Sequence, residues 1–163
     1  MTTVLSTRID RTSSLRYFIH FDPGASDDPA WVVADESTGK WLGVIDTDYL
    51  LIPGNGFLYA IGRTNKIHTE RRKYAVREGK VVEVTQPYLY VGLDTHTKIP
   101  IALLSGKDTG EVIAQIPKGE KIHVLLSEGD YLLVKSNFGL VGWFKTSASR
   151  ESPDFDGIYF DGD

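Results

Sequence analysis

Residues 102–145, ALLSGKDTGEVIAQIPKGEKIHVLLSEGDYLLVKSNFGLVGWFK, alternate strand-like runs with turn residues at the spacing of a very small barrel. The runs VIAQI, KIHVLL, YLLVKS and LVGWF are rich in β-branched, leucine and aromatic residues, which favour strands. Turn-forming groups separate them: Pro117-Lys118-Gly119, Ser127-Glu128-Gly129-Asp130 and Asn137-Phe138-Gly139. Five short strands in about sixty residues predict a barrel and not a helical domain.

The same segment resembles the bacterial SH3 family, SH3b. Members of that family carry, in order, a hydrophobic strand, a Lys-Gly-x-x-hydrophobic-x-Val-Leu strand, an aromatic strand and a closing Gly-Trp-hydrophobic strand. The chain fills these positions with residues 112–116, 118–125, 131–135 and 142–144. The resemblance implies an SH3-like barrel, with Tyr131 and Trp143 at positions where members commonly carry aromatics. The family's Asn-x-Arg-x-Gly-Pro entry is replaced by residues 102–107, so the loop chemistry that some members use for ligand contact is not evident.

The remainder of the chain also predicts β-structure. WVVAD and KWLGVID flank a turn at residues 36–39, and RRKYAVR and KVVEV flank Glu78-Gly79, so each pair predicts a hairpin. No apolar pattern with a helical period persists for three turns, and we expect almost no α-helix. The sequence thus predicts an all-β protein with four parts: a polar arm (1–28), an N-terminal antiparallel hairpin sheet (29–87), a small SH3-like barrel (88–147) and an acidic and aromatic tail (148–163). We expect the tail to dock on the body through Phe155, Ile158, Tyr159 and Phe160.

Composition excludes several classes of function. The 163 residues include no cysteine, which excludes disulfides and thiolate-based zinc or redox sites. Residues 1–87 carry eleven basic and eleven acidic side chains, whereas residues 88–163 carry seven and eleven, so the formal charge of −4 arises in the second half. Because affinity for nucleic acid depends on clustered Lys and Arg, this balance predicts no nucleic-acid partner.

The hydrophobic pattern bears on location. No stretch approaches eighteen consecutive apolar residues, so we predict no membrane span. The first twenty residues contain no apolar run of the length that a signal peptide requires. As it stands the sequence predicts a cytoplasmic location, and a periplasmic or cell-surface location if a signal peptide has been removed.

Residue types that support catalysis or metal binding are scattered. The four histidines, His20, His68, His96 and His123, form no H-x-x-x-H or H-E-x-x-H pair. Six carboxylates fit no EF-hand spacing and are expected in solvated turns: Asp22, Asp27, Asp28, Asp35, Asp46 and Asp48. The chain has no G-x-S-x-G elbow, P-loop or G-x-G-x-x-G fingerprint. We predict no enzymatic activity, no metal and no cofactor, with a small hydrolase that uses a carboxylate and a histidine on the first sheet as a minor alternative.

Two sets of residues are candidate binding surfaces. The first comprises the aromatics Tyr88, Tyr90, Tyr131 and Trp143, because SH3-type barrels often form a shallow aromatic groove for extended peptides or glycans. We expect at least two of these four in the core. The second set comprises Arg71, Lys73 and Arg77, which share one face of a strand in the basic run 63–80. A solvated face that protects a sheet edge is the favoured interpretation, and a patch for an anionic partner is the alternative.

These observations favour a non-enzymatic binding protein that recognises a protein or peptide partner. The resemblance to SH3b implies an alternative function, the binding of cell-wall peptidoglycan by an exported protein.

Overall fold

A computed structural model describes residues 1–25, 28–147, 151–160 and 162. These residues form strands, turns and loops and no helix, which confirms the predicted all-β class. The chain divides into two compact units. Unit 1 contains Met1–Thr64 and Glu70–Gln86, and unit 2 contains Asn65–Thr69 and Pro87–Gly162.

Unit 1 consists of two antiparallel sheets of four strands each, with orders β1-β2-β3-β4 and β5-β6-β7-β8. The strands are β1 (Thr2–Thr7), β2 (Tyr17–Asp22), β3 (Ala30–Asp35), β4 (Trp41–Asp46), β5 (Tyr49–Leu51), β6 (Leu58–Gly62), β7 (Glu70–Arg77) and β8 (Lys80–Glu83). Both sheets contribute to one core. Ile19, Val33 and Ile45 come from the first sheet, and Leu58 and Tyr74 come from the second.

The first 22 residues correct the prediction of a polar arm. β1 pairs with β2, and β2 continues the sheet through β3. Tyr17 and Ile19 are buried in the core, whereas Phe18 and His20, which each follow one of them, are only partly buried. This alternation is the period of a half-buried strand. The pattern is hard to recognise in the sequence, because β2 is only six residues long and lies between two polar loops.

Both predicted hairpins of this half are confirmed. β7 and β8 pair across Glu78 and Gly79, which both adopt positive φ angles of 51° and 69°. Two residues with positive φ are the signature of a type I′ turn, whose twist matches that of the flanking strands. β3 and β4 pair around a turn in which Asp35 Oδ1 accepts hydrogen bonds from the backbone N–H and the hydroxyl groups of both Ser37 and Thr38.

The hydrogen bonds from Ser37 and Thr38 hold the pKa of Asp35 below its ordinary value. A lowered folded-state pKa means that the stabilisation is complete above the unfolded-state pKa of about 4 and is lost as the pH falls through the folded-state value. We therefore expect Asp35→Ala to lower the free energy of unfolding at pH 7, and the difference from wild type to shrink below about pH 4. Urea denaturation between pH 3 and 7 measures this.

Asp22→Ala is the matched control, because among the described residues Asp22 Oδ1 accepts one hydrogen bond, from the N–H of Gly24. At pH 7, Asp22→Ala should lower the free energy of unfolding by less than Asp35→Ala does. A cost for Asp35→Ala that is equal at pH 3 and pH 7 would contradict the assignment.

The described part of unit 2 contains one antiparallel sheet of six strands in the order β11-β10-β14-β13-β12-β9. The strands are β9 (Leu89–His96), β10 (Ile101–Leu104), β11 (Val112–Ile116), β12 (Lys121–Glu128), β13 (Tyr131–Ser136) and β14 (Val141–Lys145). The five strands predicted within the SH3b-like segment are therefore present, and β9 adds a sixth at the edge next to β12.

The C-terminal tail supplies part of the core of unit 2. Phe155 and Ile158 are fully buried, which confirms that these two residues dock on the body. Phe155 meets Phe144 edge to face at 5.2 Å between ring centroids. In residues 151–160 the tail forms isolated bridges and backbone bonds, such as that from Lys98 N–H to the carbonyl of Asp154, and no regular strand. Residues 148–150, 161 and 163 of the predicted tail lie outside the described residues.

Residues 65–69 also belong to unit 2, and they bring a buried histidine into it. The Nε2 atom of His68 lies 2.9 Å from the hydroxyl oxygen of Ser127, and its Nδ1 atom lies 3.1 Å from the carbonyl oxygen of Thr69. A carbonyl oxygen only accepts, so Nδ1 carries a proton and donates to Thr69. The contact between Nε2 and the hydroxyl of Ser127 ties residues 65–69 to β12.

Candidate binding face on the six-stranded sheet

One row of apolar side chains crosses every strand of the unit 2 sheet. Residues that lie directly opposite on neighbouring strands have side chains on the same face. The register pairs the members in sequence: Tyr90 with Leu126, Leu126 with Leu133, Leu133 with Trp143, Trp143 with Leu104, and Leu104 with Val112. We call these six residues the apolar row.

The apolar row lies on the face that points away from the core of unit 2. Leu132 and Val134, on either side of Leu133, are fully buried, so Leu133 points the other way. The two ends of the row are exposed, with 57% of Tyr90 and 54% of Val112 accessible, and the four central members are half-buried. A continuous apolar strip that reaches solvent is more often an interaction surface than isolated exposed residues are.

Tyr90 is held in place by a glycine. Gly92 adopts φ = 64°, and a Cβ atom there would lie 2.3 Å from the Cζ and hydroxyl atoms of Tyr90. The tyrosine ring therefore lies against the bare backbone of β9, which is how aromatic side chains protect glycines in sheets. This contact fixes one end of the apolar row.

We expect Gly92→Ala to lower the free energy of unfolding by about 1–2 kcal/mol for the left-handed backbone, with a further loss because Tyr90 is displaced. Gly129→Ala is the matched control, since Gly129 has φ = 55° but no atom within 4 Å of the added Cβ. Urea denaturation measures both variants. If the ring contact is real, the excess cost of Gly92→Ala disappears in a Tyr90→Ala background; an excess that persists there would refute it.

Lysines and aromatics flank one side of the apolar row. The hydroxyl of Tyr131 donates to Asp108 Oδ1 at 2.8 Å and accepts from the N–H of Asp108 at 3.1 Å. The Nζ atoms of Lys107 and Lys145 lie 5.3 Å and 5.6 Å from the ring centroids of Trp143 and Tyr131, within the range of cation–π attraction. The loop between β10 and β11 is thus anchored beside the row.

A shallow groove flanks the other side. It has a volume of about 500 Å³ and is lined by Asp94, Lys121, Ile122, His123, Leu125, Lys135, Ser136 and Asn137. The Nδ1 atom of His123 lies 3.0 Å from Asp94 Oδ1. This hydrogen bond holds the pKa of the Asp94 carboxyl below its ordinary value; desolvation opposes the shift, and the charges of His123 and Lys121 add to it. We call this feature the lysine groove.

The His123–Asp94 pair bears on the hydrolase alternative. That hypothesis required a histidine and a carboxylate in one cleft on the first sheet, and the structure places such a pair in unit 2 instead. His123 is half-buried, as predicted from its position between Ile122 and Val124, which both face the core. Ser136 lines the same groove, but it is only 3% exposed and its hydroxyl oxygen accepts the N–H of Leu140. Ser136 therefore does not present its hydroxyl as a nucleophile to the His123–Asp94 pair.

The four predicted aromatics all lie in unit 2, but only two of them belong to the apolar row. Tyr90 and Trp143 are members, Tyr131 lies on its flank, and Tyr88 is exposed just before β9. The expectation that at least two would be core residues was wrong, since none of the four is buried. The aromatic ring that is buried in this core is that of Phe155, from the tail.

The sequence missed four members of the apolar row: Leu104, Val112, Leu126 and Leu133. These are ordinary strand residues, and only the register across six strands aligns them. No short motif marks such a row.

The three basic residues of the predicted anionic-partner patch lie in unit 1. Arg71, Lys73 and Arg77 occupy alternate positions of β7, on the side opposite the buried Tyr74. The Nζ atom of Lys73 lies 3.6 Å from the ring centroid of Phe57. An anionic partner for this patch stays a prediction.

Residues 1–25, 28–147, 151–160 and 162 contain neither a candidate metal centre nor a membrane-spanning helix. Within these ranges, no three His, Cys, Asp or Glu side chains are grouped closely enough to hold a metal ion, and Asp27 of the six carboxylates lies outside them. The described segments include no helix with the length and apolar character that crossing a bilayer requires.

Comparison of the chain with protein-family models, with curated proteins and with solved structures finds no match.

Proposed function

We propose that this chain is a non-enzymatic binding protein, and that the apolar row receives an extended segment of a protein or peptide partner. The observation that carries the proposal is the register that aligns six apolar side chains across all six strands and leaves both ends open to solvent. The resemblance of residues 102–145 to SH3b, and the SH3-like barrel that it implies, supports the proposal, because such barrels use shallow aromatic surfaces for extended ligands.

The dimensions of the apolar row suit a short peptide. Neighbouring strands lie about 4.8 Å apart, so a row across six strands is about 24 Å long, which equals about seven residues of extended chain. Trp143 lies near the middle of the row, and tryptophan is enriched among the residues that dominate binding energy. Charged side chains lie on both flanks, which is the usual anatomy of an apolar centre with a polar rim.

A selection from a library of random linear dodecapeptides, displayed on phage and captured on the immobilised chain, tests the proposal. We expect enriched peptides with several apolar or aromatic residues. When such a peptide is added to the ¹⁵N-labelled chain, the backbone amide NMR signals of the chain that shift should cluster on β12, β13 and β14. Failure to enrich any peptide, or perturbations that cluster in unit 1, would contradict the proposal.

A cell-wall glycan is a second candidate ligand, and the exposed tyrosines favour it. Tyr88 and Tyr90 are both more than half exposed at one edge of the sheet, and aromatic rings stack on the apolar faces of sugars. Sedimentation with purified peptidoglycan tests this function. We expect the wild-type chain to co-sediment and a Tyr88→Ala/Tyr90→Ala variant to remain in the supernatant. If the wild-type chain stays in the supernatant, peptidoglycan is not a ligand of the chain.

A further inference from the structure

The lysine groove contains two ammonium groups that are not neutralised by an ion pair. Lys121 and Lys135 lie on adjacent strands and line the same groove. Among the residues that the structure describes, neither makes an ion pair with a carboxylate. Two other lysines of unit 2 do form ion pairs, Lys98 with Asp156 and Lys107 with Glu128. Lys118 and Lys145 form none among the described residues, but neither of them lines the groove.

The carboxylates nearest to the groove are already engaged by other partners. Asp94 accepts the hydrogen bond from His123, and Glu120 accepts one from the side-chain amide of Asn137 at 2.8 Å. Because an ionised carboxylate only accepts, the His123 nitrogen that faces Asp94 carries a proton. His123 lies directly opposite Lys135 on the neighbouring strand, and Lys121 is two residues before His123 on the same face of β12, so both lysines are neighbours of the same imidazole ring.

We propose that the lysine groove binds a carboxylate of the peptide partner, between the ammonium groups of Lys121 and Lys135. This inference rests on the proposed function and adds the chemistry of the partner: the peptide has an acidic residue beside its apolar ones. A carboxylate here forms the direct ion pairs that these two lysines do not make within the described part of the chain, where Asp94 acts on Lys121 only from a longer distance.

The position of the groove also orients the peptide. Leu133 of the apolar row and Lys135 of the groove are two residues apart on one face of β13, which is about 7 Å. The groove is formed by β9, β12 and β13, so it flanks the half of the row that contains Tyr90, Leu126 and Leu133. The acidic residue therefore belongs to the end of the peptide that covers this half, and not to the end over β10 and β11.

The first experiment tests the groove without any selected peptide. The ¹⁵N-labelled chain is titrated with acetyl-glutamate amide, and with acetyl-glutamine amide as its neutral counterpart. We expect saturable shifts of the amides of β12 and β13 around the groove with the acidic probe alone. A Lys121→Gln/Lys135→Gln variant should lose these shifts, whereas Lys40→Gln, a change of an exposed turn lysine in unit 1, should retain them. Equal shifts with both probes, or none in the groove, would overturn the proposal.

The second experiment uses the selected peptides, synthesised with amidated C termini so that only side-chain carboxylates remain. We expect Asp→Asn or Glu→Gln in the peptide, and each single Lys→Gln change in the groove, to weaken binding about threefold at low salt. Parallel peptides with a free C terminus show whether the terminal carboxylate substitutes for the side chain.

The two experiments separate the inference from the proposed function. Peptides that bind the apolar row but are insensitive to both lysine changes would refute the carboxylate site and leave the peptide function standing. Saturable binding of acetyl-glutamate amide without any enriched peptide would refute the peptide function and leave the carboxylate site.

Discussion

Phe155→Ala is expected to lower the free energy of unfolding of unit 2 by about 3–5 kcal/mol, because it removes a buried aromatic ring and leaves a cavity. Phe155 is fully buried and lies against Phe144, and it belongs to the same core as Ile122, Val124 and Leu132. A change of this size is a large part of the stability of an ordinary domain.

Hydrogen exchange of the amides of β12 and β13 measures the stability of unit 2 itself, so the result does not depend on unit 1. Phe138→Ala is the matched control. Phe138 is 66% exposed in the turn between β13 and β14, and its removal should change stability by no more than about 0.5 kcal/mol. If these amides are as well protected from exchange in the Phe155→Ala variant as in the Phe138→Ala variant, the tail is not part of the core.

The outcome for the tail illustrates what local patterns can predict. An aromatic and acidic segment indicates docking, since solvated tails rarely carry so many apolar side chains, and Phe155 and Ile158 do dock. The hairpins at Glu78 and at residues 35–40 were predicted for a similar reason: the turn residues are adjacent to the strands that they join. Short sequence separation makes such features visible from the sequence.

The apolar row was not predicted because two bulges create it. Val124 and Val134 pair and face the core, so strict alternation would place Leu126 on the core face too. The register shifts between Val124 and Leu126, with Leu125 as the extra residue, and Leu126 turns to the outer face opposite Leu133. A second shift brings Val112 opposite Leu104. One inserted residue reverses the face of every residue that follows, and no local pattern announces it.

The lysine groove was missed for the same kind of reason. Asp94, His123 and Lys135 are far apart in the sequence and lie side by side only because β9, β12 and β13 are neighbours in the sheet. The prediction that His123 faces away from the core was correct, but its partners depend on strand order. Unlike alternation, strand order is a property of the whole fold.

Trp143→Ala is expected to weaken the binding of a selected peptide by about 30-fold, which corresponds to about 2 kcal/mol. Trp143 lies between Leu133 and Leu104 in the apolar row, and Lys107 covers part of its ring. A large, rigid side chain at the centre of an apolar strip loses water from most of its surface when a partner covers it. Isothermal titration calorimetry with the peptide gives the affinity directly.

Two further measurements make this result specific. Because Trp143 is half-buried on the outer face and is not a core residue, the variant should lose no more than about 1–2 kcal/mol of stability and should remain folded at 25 °C, as urea denaturation will show. Trp41→Ala is the matched control, since Trp41 is 56% exposed on β4 of unit 1 and outside the apolar row. If Trp41→Ala weakens the peptide as much as Trp143→Ala, or if neither change matters, the peptide does not bind along the row. A 30-fold loss confined to Trp143→Ala would locate the partner at the centre of the sheet, because the two variants remove the same side chain and differ only in where it stands.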